Sequence, residues 1–247
     1  MYKVIWALLF LTLISGCSTV AVKSSSDQQE DYYEEEDENR DPWESYNRKM
    51  FAFNDTLDQY FLKPVAKGYR YVTPQIVDDG VSNFFGNFTM PLVIVNDLLQ
   101  AKFWQTGKDS LRFLINSTLG IFGFFDVASS MYLPPNREDF GQTLGYWGVP
   151  SGPYVVLPFF GPSTVRDGLS LVPDFMVGFT INLDTGVNRY GMFALGIVDV
   201  RADLLPFEKA VAGDKYVFLR EIYLQKREYD VKDGVIEDDF EDDFGDD

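Results

Sequence analysis

Histidine is absent from the 247 residues, and cysteine occurs once, at Cys17. Without imidazole there is no His general base, no Ser-His or Cys-His nucleophile pair, and no basis for most zinc or iron sites. With one thiol there is no intrachain disulfide, so the fold stands on packing alone. An enzyme built from this chain would rely on carboxylates, Lys or Tyr. A basic patch is also missing. That excludes nucleic acid as a partner, since nothing would replace phosphate counterions.

What is abundant is acid, but only at the two ends. The net charge of −17 divides unevenly. Residues 27–41 carry nine carboxylates against Arg40, residues 228–247 carry eleven against Lys232, and the stretch 42–227 holds 18 acidic and 17 basic residues. The body is therefore neutral. Both flanks lack a periodic apolar face and read as disordered by composition and self-repulsion. The tail has no spaced-ligand loop of the EF-hand type, so a solvated tail is favoured over a calcium site.

The first residues form an export signal, with Lys3 in a positive n-region and an apolar run from Val4 to Ile14 too short to span a bilayer. The run ends Leu13-Ile14-Ser15-Gly16-Cys17, the pattern of a bacterial lipobox with Ile14 where Leu is commoner. Cys17 is then the lipid anchor, carrying a diacylglycerol and an N-terminal fatty acid as the only non-protein groups. At about 0.8 kcal/mol per buried CH₂, two or three chains hold a protein on a membrane for its working life. Ser18 replaces the Asp of inner-membrane retention, which favours the periplasmic face of an outer membrane. Four sections follow: signal peptide 1–16, acidic tether 17–41, one domain 42–227 and an acidic tail 228–247. The tether could stretch to roughly 80 Å or span about 25–30 Å as a coil.

The body reads as mainly α. Trp43, Tyr46, Met50, Phe53, Asn54, Leu57, Tyr60 and Phe61 recur at helical spacing after an Asp41 cap and Pro42, and the helix is expected to stop before Pro64. Further helices are expected from Pro91 to about Lys102, from Asp109 to Leu119, and over 165–171, 174–183, 190–205 and 215–229. Tyr154 to Leu157 is the single strand candidate. Phe140 to Val165 has no charge over 26 positions, yet its five glycines and four prolines preclude a membrane-spanning helix. Short amphipathic pieces and abundant aromatics suit a protein lying in or against the lipid interface.

Several unusual strings occur in one order. Residues 41–54 (Asp-Pro-Trp-Glu-Ser-Tyr-Asn-Arg-Lys-Met-Phe-Ala-Phe-Asn), 62–66 (Leu-Lys-Pro-Val-Ala), 80–87 (Gly-Val-Ser-Asn-Phe-Phe-Gly-Asn), 116–120 (Asn-Ser-Thr-Leu-Gly) with Asp126-Val127-Ala128, 140–149 (Phe-Gly-Gln-Thr-Leu-Gly-Tyr-Trp-Gly-Val), 152–161 (Gly-Pro-Tyr-Val-Val-Leu-Pro-Phe-Phe-Gly) with Arg166-Asp167, and 201–205 (Arg-Ala-Asp-Leu-Leu) together resemble the MlaA (VacJ-like) outer-membrane lipoproteins over nearly all of 41–229. The acidic flanks are the departure from the family pattern.

The resemblance implies a single ring-like domain of short amphipathic helices in the inner leaflet of the outer membrane. It further implies removal of mislocalised phospholipids from the outer leaflet, association with trimeric porins, and delivery to a periplasmic carrier of the MlaC type. No bond is broken in such a transfer, so no catalytic site is expected. Phe53 and Asn54, with Leu119, Gly120, Phe122, Gly123, Phe124 and Phe125, are the candidates to line or gate the path, because an apolar, glycine-flanked turn can flex. The competing assignment makes Asn83, Asn87 and Asn116 helix caps and the phenylalanines core. Arg48, Arg112 and Arg166 are candidates for phosphate, or for fixing a carboxylate such as Asp126 or Asp167. Two other classes stay open: a carboxylate-dependent hydrolase, for which no signature is present, and a structural lipoprotein bridging envelope components through its tether.

Overall fold

A computed structural model describes residues 41–181, 187–211 and 213–235. All lie in the second of the two units into which the chain divides, Arg40–Asp247. The signal peptide, Cys17, residues 18–40 of the tether and residues 236–247 of the tail lie outside the described residues.

The body is helical. Helix α1 (Glu44–Leu57) runs without a break through a π-helical turn, Asp58–Leu62, into α2 (Lys63–Val72). The expected stop before Pro64 does not occur. In the widened turn the Lys63 N–H donates five residues back to the Asp58 carbonyl, and Pro64, with no N–H to donate, follows directly where the ladder changes register from π to α. Asp41 does not cap α1 through its side chain. Helix α3 (Gln75–Leu99) contains Pro91 in its interior instead of opening there, and α7 (Val165–Ile181) likewise continues through Pro173. Packing of α3 on its neighbours overrides the local proline penalty. The remaining helices are α4 (Phe103–Thr118), the single turn α5 (Val127–Ser130), α6 (Phe140–Tyr146), α8 (Val187–Leu204) with a 3₁₀ extension Leu205–Ala210, and α9 (Lys215–Val231). Because α9 runs to Val231, Glu228 to Val231 belong to the body and not to an acidic tail. The expected strand is real. β1 (Tyr154–Leu157) pairs antiparallel with β2 (Gly161–Thr164), Tyr154 opposite Thr164 and Leu157 opposite Gly161.

Burial is inverted relative to an ordinary globule. Among the described residues twenty polar or charged residues are buried against nine apolar ones, while Phe, Trp, Tyr, Leu and Val side chains stand out along every long helix. One small apolar core, Tyr154, Val156 and Tyr216 with Phe51 and Leu224 beside it, sits between α1, the hairpin and α9.

Elsewhere, cross-helix polar bonds hold the helices together. Asn47 and Asn54, two turns apart on α1, grip the hairpin backbone: Asn47 accepts from Val156 N–H at 2.8 Å and donates to Tyr154 O at 3.1 Å, and Asn54 accepts from Phe159 N–H at 2.8 Å and donates to Leu157 O at 2.9 Å. Asp41, assigned by sequence to the tether, is buried; it accepts from Asn47 at 2.7 Å and from Arg220 at 3.3 Å and Tyr216 on α9. Arg227 forks onto Asp139 at 2.6 and 3.0 Å and onto Asp167 at 3.0 and 2.9 Å, tying α9 to the starts of α6 and α7. Burial pushes both carboxyls up, but the Arg227 hydrogen bonds and charge outweigh it and hold both below the ordinary Asp value.

Gly141 lies where this fork passes α6; a Cβ there would sit 2.5 Å from Arg227 Nη2 and 2.6 Å from Asp167 Oδ1. Gly141→Ala is therefore expected to destabilise by about 3 kcal/mol, in the range for breaking a buried ion pair. Gly107→Ala, where a Cβ meets nothing within 4 Å on the exposed face of α4, is expected to be neutral or to stabilise by up to about 1 kcal/mol. Thermal melts of the two variants in detergent check the contrast.

Candidate functional site

Between α4 and α5 the chain makes a compact apolar turn, residues 119–125. Three successive residues adopt left-handed backbone: Ile121 (φ 52°), Phe122 (φ 56°) and Gly123 (φ 90°). For a β-branched and an aromatic residue that conformation is costly and persists only where the surroundings dictate it. Here backbone bonds do so: Phe122 N–H to Ser117 O at 3.1 Å, Gly123 N–H to Asn116 O at 2.8 Å and Phe125 N–H to Gly120 O at 2.8 Å. The exit is fixed by Asp126, which accepts from Arg112 at 2.7 Å and Asn116 at 3.0 Å, while Asn116 Oδ1 accepts from Ala128 N–H at 2.9 Å. Burial pushes the Asp126 carboxyl up, and the bonds from Ser129, Arg112 and Asn116 together bring it below its ordinary value.

The turn is seated on α3. The Phe124 ring lies against Gly80, where any Cβ would overlap it; Asn83 Nδ2 donates to Phe124 O at 3.4 Å, and Gly123 packs on the Asn87 side chain. Gly80, Asn83 and Asn87 fall at i, i+3 and i+7, one stripe of α3 facing the turn. Gly120 and Gly123 thus serve close approach, since a Cβ at Gly120 would overlap the Phe125 carbonyl. Of the apolar side chains, Phe124 is turned inward, whereas Leu119, Ile121 and Phe122, the last 77% exposed, project outward.

Phe53 and Asn54 are held elsewhere. Phe53 packs edge-on against Phe159 at the hairpin tip, ring centroids 5.4 Å apart, and Asn54 is spent on the hairpin backbone. Phe159 has φ 68° and is 75% exposed. The candidate residues therefore form two outward apolar elements, the 119–125 turn on α3 and the Phe53/Phe159 tip on α1, the first pinned by buried Asn87 and Asn116 and the second by half-buried Asn54. Asn83 and Asn87 lie inside α3 and are not caps; Asn116 does serve the first turn of α5. The arginines fix carboxylates: Arg112 takes Asp126, Arg166 takes Asp167 at 3.0 Å, and Arg48 takes Asp214 at 2.7 Å. Cys17 lies outside the described residues.

A glycine-and-asparagine scaffold of this kind, exposing bulky apolar turns, has close relatives. The family model described as MlaA lipoprotein matches residues 39–230. The chain belongs to the MlaA lipoprotein family. Its MlaA relatives include the Escherichia coli K12 protein named intermembrane phospholipid transport system lipoprotein MlaA, 37% identical over 204 residues, covering 79% of this chain and 80% of that one. A protein of the same name from Haemophilus influenzae is 33% identical over 208 residues, covering 81% and 82%. A Rickettsia felis relative described only as an uncharacterized protein is 39% identical over 196 residues, covering 78% of each chain. A solved chain from work on the structural basis for maintenance of bacterial outer membrane lipid asymmetry is 32% identical and superposes with a TM-score of 0.64, covering 77% of this chain and 98% of that one.

In this MlaA family member the Gly80 seat is expected to be strict. Gly80→Ala would drive Phe124 off α3 and release the turn, raising amide hydrogen exchange at 120–125 by about tenfold or more, while exchange in the Asn47-clamped hairpin stays unchanged.

Proposed function

We propose that this protein moves phospholipids between leaflets or carriers at the outer membrane, withdrawing mislocalised lipid from the outer leaflet and passing it inward without chemistry. The observation that carries the reading is the inverted burial: buried polar groups inside and exposed Phe, Tyr, Trp and Leu outside, with the 119–125 turn tied by backbone hydrogen bonds. Such a surface is suited to hydrocarbon, where apolar side chains need no cover and polar groups find partners inside. Among the described residues no helix is long and apolar enough to cross a membrane, and the proposal seats the helices in one leaflet. Acyl groups on Cys17 would hold it to the periplasmic side of the outer membrane. Trimeric porins are the proposed neighbours, and an MlaC-like periplasmic carrier the proposed recipient.

In this mechanism the chain supplies geometry. A lipid headgroup crossing hydrocarbon unaided loses several kcal/mol of hydrogen bonding. A path that offers polar groups to the head and apolar side chains to the tails removes that barrier, and Leu119, Ile121 and Phe122 are placed to contact tails.

The test is a deletion strain complemented by wild type, Phe122→Asp or Cys17→Ala, with phospholipid in the outer leaflet measured by mass spectrometry. Deletion is expected to raise surface phospholipid severalfold. Phe122→Asp, folded and anchored, is expected to leave most of that rise uncorrected, and Cys17→Ala to release the protein from the membrane fraction. Normal surface lipid with Phe122→Asp would remove the turn from the path. Normal surface lipid on deletion would favour a structural lipoprotein bridging envelope components.

A further inference from the structure

At the closed end of the α3–α4 pair two aspartates face one another with no water access. Asp97, on the last turns of α3, is 0% exposed, and Asp109, on α4, is 1% exposed. One amide, Asn136 Nδ2, reaches both, at 3.4 Å to Asp97 Oδ1 and 2.9 Å to Asp109 Oδ2; Gln105 Nε2 adds a second bond to Asp109 Oδ2 at 2.9 Å. The other two oxygens, Asp97 Oδ2 and Asp109 Oδ1, are buried and receive no donor. Two carboxylates converging on one amide repel, and each orphan oxygen carries a desolvation cost. A single proton removes both faults, making one oxygen a donor and the other its acceptor.

We infer that Asp97 and Asp109 share one proton in a buried carboxyl–carboxylate bond that fastens α3 to α4, and that the fastening loosens when the proton leaves. The neighbouring charges do not substitute for it. Lys102, whose charge acts on Asp97, is engaged by Glu138 at 3.0 Å and by Asp233, and the buried Arg112, one turn beyond Asp109 on α4, is engaged by Asp126 at 2.7 Å. Glu138 is held by Gln100 at 2.8 Å, and α6, the other element packed here, carries no charged residue. Among the described residues no group of three or more acidic side chains is arranged to hold a metal ion, which favours a proton over a cation.

Burial first, then the Asp109 hydrogen bond and charge, push the Asp97 carboxyl up to about 8. A folded-state value above the unfolded one, about 3.9, contributes stability that is present at low pH and is lost as pH rises through 8. Asp126, Asp139 and Asp167 act in the opposite sense, losing their contribution only as pH falls below about 4, so the two trends do not overlap. Burial also pushes up Glu138, Asp174, Asp199 and Asp203, Asp174 to about 6, and these act in the same sense as Asp97, so the Asn variants and not the wild-type slope isolate the pair.

The experiment uses the full chain in detergent, wild type against Asp97→Asn and Asp109→Asn, with melting temperature and the infrared band of protonated carboxyl groups followed from pH 6 to 9. Wild type is expected to melt roughly 5 °C lower at pH 9 than at pH 6 and to lose part of that band near pH 8. Either Asn variant should flatten the melting profile and lack that part of the band; if one fails to fold, the other decides. A variant with the wild-type slope and band overturns the shared proton. So does a wild-type melting temperature raised by millimolar calcium at pH 7.5 but not in the variants, which would make the pair a cation site.

Discussion

Hydrogen bonds and ion pairs between helices, made in the interior, are the constraint on which the rest of this structure depends. Arg227 with Asp139 and Asp167, Arg201 with Asp58 at 2.6 and 2.8 Å, and Asn47 and Asn54 with the hairpin backbone each join segments far apart in sequence, and Arg112 with Asp126 closes the turn between α4 and α5. A fold that turns its apolar side chains outward gains little from burying them against lipid and must be specified by groups that have one correct partner. Removing one partner of such a pair strands the other, which is why a single methyl at Gly141 carries a large expected cost.

The same constraint explains the two outward apolar elements. Left-handed Ile121 and Phe122 are stable because both ends of the turn are tied by Asn116 and its middle is seated on Gly80 and Asn87. Phe159 is held in left-handed backbone at the hairpin tip by Asn54. In both places an asparagine amide, buried at Asn116 and half-buried at Asn54, fixes backbone so that an exposed ring points outward. Both projections arise from strained backbone that the polar network sustains.

Much of this was legible in the chain. Helical periodicity from Trp43 to Phe61, the β1 strand at Tyr154, the neutral body and the family strings all correspond to observed elements. The misreadings share one cause. Pro64, Pro91 and Pro173 look like stops because proline removes a local hydrogen bond, and only packing partners distant in sequence reveal that the helix continues. Asp41 looks like part of an acidic tether because its neighbours are acidic, whereas Asn47, Tyr216 and Arg220 bury it. A signal for the hairpin clamp does exist in the seven-residue spacing of Asn47 and Asn54, but an asparagine pair names no partner until the backbone it grips is in place.

By itself the sequence determined the family, the helical class, the neutrality of the body and the absence of imidazole and free-thiol chemistry, because these follow from composition and local order. Only the tertiary structure decided which residues face inward, that Phe53 and the 119–125 turn are separate elements, and that Asp97 meets Asp109. Those outcomes rest on contacts between residues that the chain keeps apart, and a buried carboxylate acquires its partners only when two helices close around it.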